Sequence, residues 1–227
     1  MANHLREIVD LERIVAKIAT QKISPRALVQ LGKSLQQITK IKVDLLDHSS
    51  KKLQTLGAGF LDVGEVIKLI KFTLKPEAPV LLGKGEVIAD GVNVELDELR
   101  ELLHSGKEHL DTMLERESER TQIPSLKIAF NNVFGYYIEV RNTHKEKVPE
   151  DWIRKQTLVS AERYITEELK EYETKILGAE DKIKSLESRL YLELLNKLQK
   201  YLELLKTNAQ KVAQLDVMWC FAFLALK

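Results

Sequence analysis

Cysteine, long apolar runs and net charge are all scarce in this chain of 227 residues. Its single cysteine, Cys220, excludes an intramolecular disulfide and a zinc site built from cysteines. No window approaches the roughly 18 uncharged apolar residues that a membrane-spanning helix needs. The N-terminal stretch MANHLREIVDLERIVAKIA is charged throughout, unlike a signal peptide. These absences predict a cytoplasmic protein without a membrane partner.

Charge of one sign is also missing. The 35 basic residues almost cancel the 34 acidic ones, so no global field attracts the chain to nucleic acid. Any charge used for binding must therefore be local. The apolar content of 44% is enough for a real hydrophobic core.

Helical periodicity dominates the first 120 residues. Apolar residues recur at steps of three and four from Leu5 to Ile18, and Ser24-Pro25 is typical of a helix cap followed by the first helical position. A broken helical region covers Phe60–Leu74. A further helix is predicted from about Leu96 to about Arg120, which makes it roughly 35 Å long.

The period changes between Thr121 and Thr166. Leu126–Phe130 and Tyr136–Val140 alternate between apolar and polar residues, and the glycine and asparagines between them favour a turn. These segments predict an antiparallel hairpin. Gln156–Ile165 is interpreted as a third strand, with a helix as the alternative.

The longest helical pattern follows Glu167. Its apolar seam alternates steps of three and four and can be followed to Leu215, which corresponds to roughly 70 Å if the helix is unbroken. We expect the seam to pack antiparallel against the helix that ends near Arg120. The β segment then lies at the far end of this helix pair.

Other chemistries are poorly supported by the sequence. His104 and His109 are five residues apart, which places them on different helix faces. The carboxylates Glu167, Glu168, Glu171 and Glu173 alternate with lysines at helical spacing, as on a solvated helix face. Cys220 and the aromatic residues around it are interpreted as core residues.

Several runs of sequence, in order, are similar to one protein family. IPSLKIAFNNVFGYYIEV and VPEDWIRKQTLVSAERYITEELKEYETKIL resemble the clamp region of MutS-type DNA mismatch repair proteins. DLERIVAKIATQKISPRALVQL resembles the start of the core helices, GKGEVIADGVNVELDELREL the loop entering the lever helix, and AQLDVMWCFAFLA the helix by which the lever returns. The resemblance covers essentially the whole chain.

The resemblance implies a mainly α fold, in which long antiparallel lever helices and a helical core carry a small antiparallel β clamp at the helix tips. The implied domains are core helices and an ascending lever at 1–121, the β-rich clamp at 122–168, and a descending lever helix that returns to the core at 169–227.

The resemblance also implies a function. Family members recognise mismatches through a Phe-x-Glu motif and hydrolyse ATP through a Walker motif, and this sequence contains neither; the glycines of 83–91 have the wrong spacing for a phosphate loop. We therefore expect a fragment that is not an enzyme and has no cofactor or metal. Met1 is then not the native start.

The parent protein is expected to be a cytoplasmic, DNA-dependent ATPase that uses ATP and magnesium. Its implied partners are duplex DNA, a second MutS subunit and a mismatch repair protein of the MutL type.

The implied contacts to the DNA backbone lie in the clamp. They correspond here to Asn131, Asn132, Arg154, Lys155 and Ser160. Residues 122–165 carry seven basic and five acidic side chains, a net charge of only +2, so we expect weak, non-specific binding. Alternative interpretations are that Arg154 and Lys155 serve solubility, and that Arg163 and Glu162 pair with neighbouring side chains and brace the clamp.

A second function remains open on the sequence. The heptad seam is compatible with a structural coiled-coil protein that binds a partner helix and has no role with nucleic acid. The β segment favours the first function, because a coiled-coil adaptor has no need of an asparagine turn followed by basic residues.

Overall fold

The computed structural model describes residues 2–131 and 133–225, and within them every side chain except those of Ala2 and Lys107. Eight helices and four strands lie in this part of the chain, so the mainly α fold with a small antiparallel sheet is confirmed. The helices are α1 (Ala2–Arg6), α2 (Leu11–Ala19), α3 (Pro25–Leu46), α4 (Lys51–Ala58), α5 (Gly64–Thr73), α6 (Val94–Thr121), α7 (Glu167–Gln199) and α8 (Leu202–Ala225). The strands are β1 (Lys127–Asn131), β2 (Gly135–Arg141), β3 (Ile153–Thr157) and β4 (Ala161–Ile165).

The chain forms two compact units. Unit 1 contains residues 1–93 and 184–227, and unit 2 contains residues 94–183. In unit 1, α3 packs against α4 and α5, while α2 packs against α8. The buried face of α3 is a continuous helical stripe of leucines and isoleucines: Leu28, Leu31, Leu35, Ile38, Ile41 and Leu45.

Local signals in the sequence explain where two helices of unit 1, α2 and α3, begin. The Ser24 hydroxyl accepts a hydrogen bond from the backbone N–H of Ala27, and Pro25 occupies the first turn of α3. Asp10 caps α2 in the same way, through the backbone N–H of Arg13. This cap divides the single helix predicted over Leu5–Ile18 into α1 and α2.

The glycine-rich loop at 83–91 is held by a buried carboxylate. Glu187 accepts hydrogen bonds from the backbone N–H groups of Val87 and Ile88, at 2.9 and 3.4 Å. Leu74 and Ile88 form an isolated antiparallel bridge. The loop is thus an ordered connection within unit 1.

In unit 2 the four strands form one sheet in the order β1-β2-β4-β3, and every neighbouring pair is antiparallel. β1 and β2 form the predicted hairpin. The single strand predicted over Gln156–Ile165 is wrong, because the chain reverses at Leu158–Ala161 and makes two paired strands. A 3-10 helix, Asn142–Lys147, follows β2.

One face of the sheet is buried against the two helices of unit 2. The shared core is a cluster from the sheet, its loops and the helices: Met113, Ile123, Leu126, Ile138, Val140, Trp152, Tyr164 and Leu169. Burial of this apolar surface, at about 25 cal/mol per Å², fixes the sheet on the helix ends.

α6 and the first part of α7 pack closely together, as the seam predicted. A Cβ atom on Gly106 would lie only 2.7 Å from both Ile176 Cδ1 and the Tyr172 hydroxyl oxygen. Glycine therefore allows the close approach of the two helices. His109 of α6 stacks on Tyr172 of α7, with ring centroids 5.5 Å apart.

The helical pattern after Glu167 is interrupted before Leu215, because α7 ends at Gln199 and α8 begins at Leu202. The interpretation of Cys220 and its aromatic neighbours as core residues is wrong. Cys220 is exposed rather than buried, and Trp219 is 41% exposed. In the part of the chain that the structure describes, no helix is both long and apolar enough to span a membrane.

Candidate nucleic-acid interface

The sheet of unit 2 has two turns, and they lie at opposite ends of it. The first turn, residues 131–135, joins β1 to β2; the second turn, residues 158–161, joins β3 to β4. β2 shows their separation, because Gly135 pairs with Asn131 and Arg141 pairs with Ala161. Six residues of strand correspond to about 20 Å at 3.4 Å per residue. The predicted contact residues of the two turns therefore do not form one patch.

Asn131 is engaged within the first turn. Its side-chain oxygen accepts a hydrogen bond from the backbone N–H of Val133 at 2.8 Å, which is an Asx turn. Asn132 lies outside the described residues. Phe134 packs its ring on Tyr137, with centroids 5.5 Å apart.

Ser160 lies in the second turn and is exposed. Asn142 holds this turn, since its backbone N–H donates to the Ser160 carbonyl at 3.1 Å and its side-chain amide donates to the Val159 carbonyl at 2.9 Å. The Ser160 hydroxyl has no hydrogen-bond partner among the residues that the structure describes.

Arg154 and Lys155 lie on β3, the edge strand of the sheet. Arg154 is 62% exposed on its side chain and lies 3.5 Å from the carboxylate of Glu162. Lys155 sits at a bulge, because the register shifts between Arg154 and Gln156. A bulge projects the extra residue from the strand, and the Lys155 side chain is exposed.

The hypothesis that Arg163 and Glu162 brace the sheet agrees with the geometry. Arg163 donates to Glu139 at 3.2 Å and to the Gln156 side chain at 2.9 Å, and its guanidinium lies 4.3 Å from the centre of the Tyr137 ring. Glu162 accepts a hydrogen bond from the Tyr164 hydroxyl. Burial, together with this carboxylate, raises the pKa of Tyr164 to about 12.

Four exposed basic side chains of the sheet region make no ion pair or hydrogen bond with any described residue: Lys127, Arg141, Lys145 and Lys155. Arg141 directly precedes Asn142, the residue that holds the second turn, and Lys145 follows Asn142 by three residues. Sequence reasoning counted these two cations but did not assign them to a contact. Both cations lie far from Ser160 along the chain. Only the pairing of β2 with β4, in which Arg141 lies opposite Ala161, places Arg141 beside the second turn.

One ion pair attaches the sheet region to α6, and another links α6 to α7. Arg120 makes a bidentate pair with Asp151, with nitrogen–oxygen distances of 2.6 and 3.1 Å, and this pair lowers the pKa of Asp151. Arg116 of α6 donates to Glu168 of α7 at 3.3 Å, and this hydrogen bond lowers the pKa of Glu168. Glu168 therefore pairs across two helices rather than with a lysine on its own helix face.

The described residues contain no group of three or more histidine, cysteine, aspartate or glutamate side chains that could hold a metal ion. The sheet of unit 2 carries the exposed cations named above, which have no ion-pair partner among the described residues. Such groups can contact phosphate oxygens but carry no base-specific information.

Comparison with known proteins identifies the family. Residues 91–182 match the model of MutS family domain IV. The chain is 55% identical over 223 residues to the DNA mismatch repair protein MutS of Flavobacterium johnsoniae, an alignment that covers 98% of this chain and 26% of that protein. It is 56% identical over 222 residues to the DNA mismatch repair protein MutS of Porphyromonas gingivalis, with 98% and 25% covered.

The chain thus spans about a quarter of the length of the curated relatives it matches. More than half of the aligned residues are identical, and the alignments cover 98% of this chain. The match to the family model covers the helices and sheet of unit 2. The chain therefore belongs to the MutS family and corresponds to a part of those proteins, in which residues 91–182 are domain IV.

Proposed function

We propose that this chain is part of a DNA mismatch repair protein and that its sheet holds duplex DNA through the phosphate backbone, without reading the base sequence. The observation that carries this proposal is a set of exposed cations, near the second turn and on the edge strand β3, that make no ion pair with any residue the structure describes. We place the main contacts at Arg141, Lys145, Lys155 and Ser160. Arg154, which pairs with Glu162, contributes less.

The first turn is less suited to phosphate. Asn131 already accepts a hydrogen bond within the turn. The carboxylate of Glu173 lies against the same turn, 3.2 Å from the backbone nitrogen of Tyr136. Because like charges repel, this carboxylate disfavours a phosphate nearby. We therefore assign Asn131 and Asn132 a secondary place in the interface.

Further functions are proposed for the longer protein of which this chain is a part. We propose that it hydrolyses ATP with magnesium in a domain that lies outside this sequence, and that α6 and α7 couple that domain to the sheet. Its proposed partners are a second MutS subunit and a MutL-type protein. The coupling is of the hinge or rigid-body kind, in which helices transmit the movement of a distant site.

Fluorescence anisotropy with a labelled duplex tests the proposed interface. With few phosphate contacts we expect a Kd weaker than about 10⁻⁶ M, equal for paired and mismatched duplexes, and binding that is lost as salt rises. The double variant Arg141→Glu with Lys145→Glu is expected to abolish binding at low salt. Arg154→Glu with Lys155→Glu is expected to weaken it, mainly through Lys155.

The matched control reverses two lysines of unit 1. Lys51 and Lys52 are exposed and have no side-chain partner among the described residues, so Lys51→Glu with Lys52→Glu changes the net charge by the same amount. Binding should survive this change. The proposed interface is contradicted if Lys51→Glu with Lys52→Glu loses as much DNA binding as Arg141→Glu with Lys145→Glu. Tight binding selective for a mismatch would also contradict it.

A further inference from the structure

Helix α7 contributes one carboxylate to the first turn of the sheet. The side-chain oxygen Oε2 of Glu173 accepts a hydrogen bond from the backbone N–H of Tyr136 at 3.2 Å. Both residues belong to unit 2. The helical spacing of acidic and basic residues predicted a solvated face for Glu173, and the structure instead gives this carboxylate a partner in the backbone.

The strand register explains why that N–H group is available. β2 pairs with β4 from Ile138 opposite Tyr164 to Arg141 opposite Ala161, so the position opposite Tyr136 would be Thr166. β4 ends at Ile165, one residue before Thr166. The Thr166 hydroxyl instead accepts a hydrogen bond from the backbone N–H of Leu169 and caps α7. A backbone donor without a partner is costly when it is removed from water, and Glu173 satisfies it.

Gly135 makes the contact possible. Its φ angle of +81° lies in the left-handed region that favours glycine. A Cβ atom at this position would also overlap the carboxylate of Glu173. Any other residue at position 135 would therefore both strain the backbone and displace the carboxylate.

A second contact between α7 and the hairpin lies beside the first. Tyr172 packs edge to face on Tyr136, with ring centroids 5.8 Å apart, and Tyr136 packs on Phe130 of β1 at 5.0 Å. Burial and the carboxylates of Glu180 and Glu173 raise the pKa of Tyr136. Tyr172 and Glu173, consecutive residues of α7, thus both contact Tyr136 of the hairpin.

We propose that Glu173 is a positioning residue, which ties the first turn to helix α7 so that this end of the β1–β2 hairpin follows the helix. Gly135 is the residue that admits its carboxylate. The role rests on contacts inside unit 2, and it goes beyond the proposed DNA binding because it holds with or without DNA.

Amide hydrogen exchange, measured by NMR on the whole 227-residue chain without DNA, tests the contact directly. In Glu173→Ala the Tyr136 amide is expected to exchange at least tenfold faster than in the unmodified chain. Glu173→Gln keeps a side-chain oxygen as acceptor and should restore most of the protection. Glu171→Ala removes an exposed carboxylate two residues away and should leave the Tyr136 amide unchanged.

The amide of Ile138, in the middle of β2, serves as the internal reference. It should exchange at the same rate in all four proteins, which shows that the sheet itself is intact. The proposal is overturned if Tyr136 in Glu173→Ala stays within twofold of the unmodified chain. It is also overturned if Ile138 speeds up by the same factor as Tyr136, because the sheet is then loosened as a whole.

A double-mutant comparison tests the role of Gly135. If the Cβ atom displaces the carboxylate, Gly135→Ala speeds up Tyr136 exchange, and adding Glu173→Ala has little further effect. Independent, multiplying effects of the two substitutions would show that Gly135 acts through backbone strain alone and would contradict the assigned part of Gly135.

Spin labels measure whether the turn follows the helix. Labels at the exposed positions Val133 and Lys182, in a Cys220→Ser background, report the distance from the first turn to α7 within unit 2. Glu173→Ala should broaden this distance distribution, and Glu173→Gln should keep it narrow. A control pair at Val159 and Lys182 should not change. Equal broadening for both pairs would overturn the proposal.

Discussion

The two ends of the sheet in unit 2 are held in different ways. The first turn is tied to α7 by the Glu173 carboxylate and by the contact of Tyr172 with Tyr136. The second turn is closed by a backbone hydrogen bond from Leu158 to Ala161 and is held by Asn142, a neutral residue from the segment that follows β2. Exposed Arg141 pairs with Ala161 at the second turn, whereas a carboxylate lies against the first.

The two ends of the sheet can therefore serve different purposes: one end is attached to α7, and the other is available for the proposed binding of DNA. A carboxylate at the first turn supplies an acceptor for a backbone donor, but it repels phosphate. A neutral amide at the second turn fixes the backbone and leaves the charge of Arg141 and Lys145 available. We therefore associate attachment to α7 with the first end and the proposed DNA contact with the second.

The largest expected effect comes from removing the core that supports both ends. Ile138 is fully buried in that core, so Ile138→Ala should lower the free energy of unfolding of unit 2 by about 2–5 kcal/mol. Urea unfolding followed by Trp152 fluorescence, in a Trp219→Phe background, measures the change. Ile153→Ala, at a position 59% exposed, is the control and should cost less than about 0.5 kcal/mol. Similar losses in the two variants would show that the sheet has no such core.

Two glycines differ in their surroundings: Gly106 of α6 faces the packed side of α7, and Gly178 lies on the open side of α7. A Cβ on Gly178 meets no atom within 4 Å, so Gly178→Ala should stabilise the helix by about 1 kcal/mol. A Cβ on Gly106 would lie 2.7 Å from Tyr172 and Ile176, so the cost of overpacking, about 1–3 kcal/mol, should outweigh the same helix gain. Thermal unfolding of the two variants measures this difference. An equal gain in both would mean that α6 and α7 do not approach closely at Gly106.

The smallest effect concerns the ion pair between α6 and α7. Arg116 lowers the pKa of Glu168 below the ordinary value of 4.5, so the pair stabilises the fold above pH 4.5 and this contribution is lost as the pH falls through the folded value. Both side chains are partly exposed, at 53% and 39%, which limits the effect to below about 1 kcal/mol. Glu168→Gln should therefore lose less stability between pH 7 and pH 3 than the unmodified chain does. The neighbouring variant Glu167→Gln should behave like the unmodified chain, and an identical pH dependence in all three would exclude the contribution.

Strong local patterns were predictable from sequence. The alternation over Leu126–Phe130 and Tyr136–Val140 predicted β1 and β2, and Ser24-Pro25 marked the start of α3. The turn at Leu158–Ala161 contains no glycine, proline or asparagine, so the two strands on either side of it were predicted as one. The break between α7 and α8 also lacks a helix breaker, since Lys200 and Tyr201 are compatible with a helix. After that break, α8 packs against α2 within unit 1.

The sequence by itself determined the fold class, the family and the weak net charge of the clamp region. These depend on local periodicity and on runs of residues that are contiguous in the chain. The tertiary structure alone decided which cations stay unpaired, that the two turns lie at opposite ends of the sheet, and that Glu173 reaches the backbone of Tyr136. The physical reason is strand pairing. Pairing of β2 with β4 joins residues 20 to 26 positions apart, and packing of α7 on the hairpin joins Glu173 to Tyr136, 37 positions away. No local pattern records which of these residues will meet.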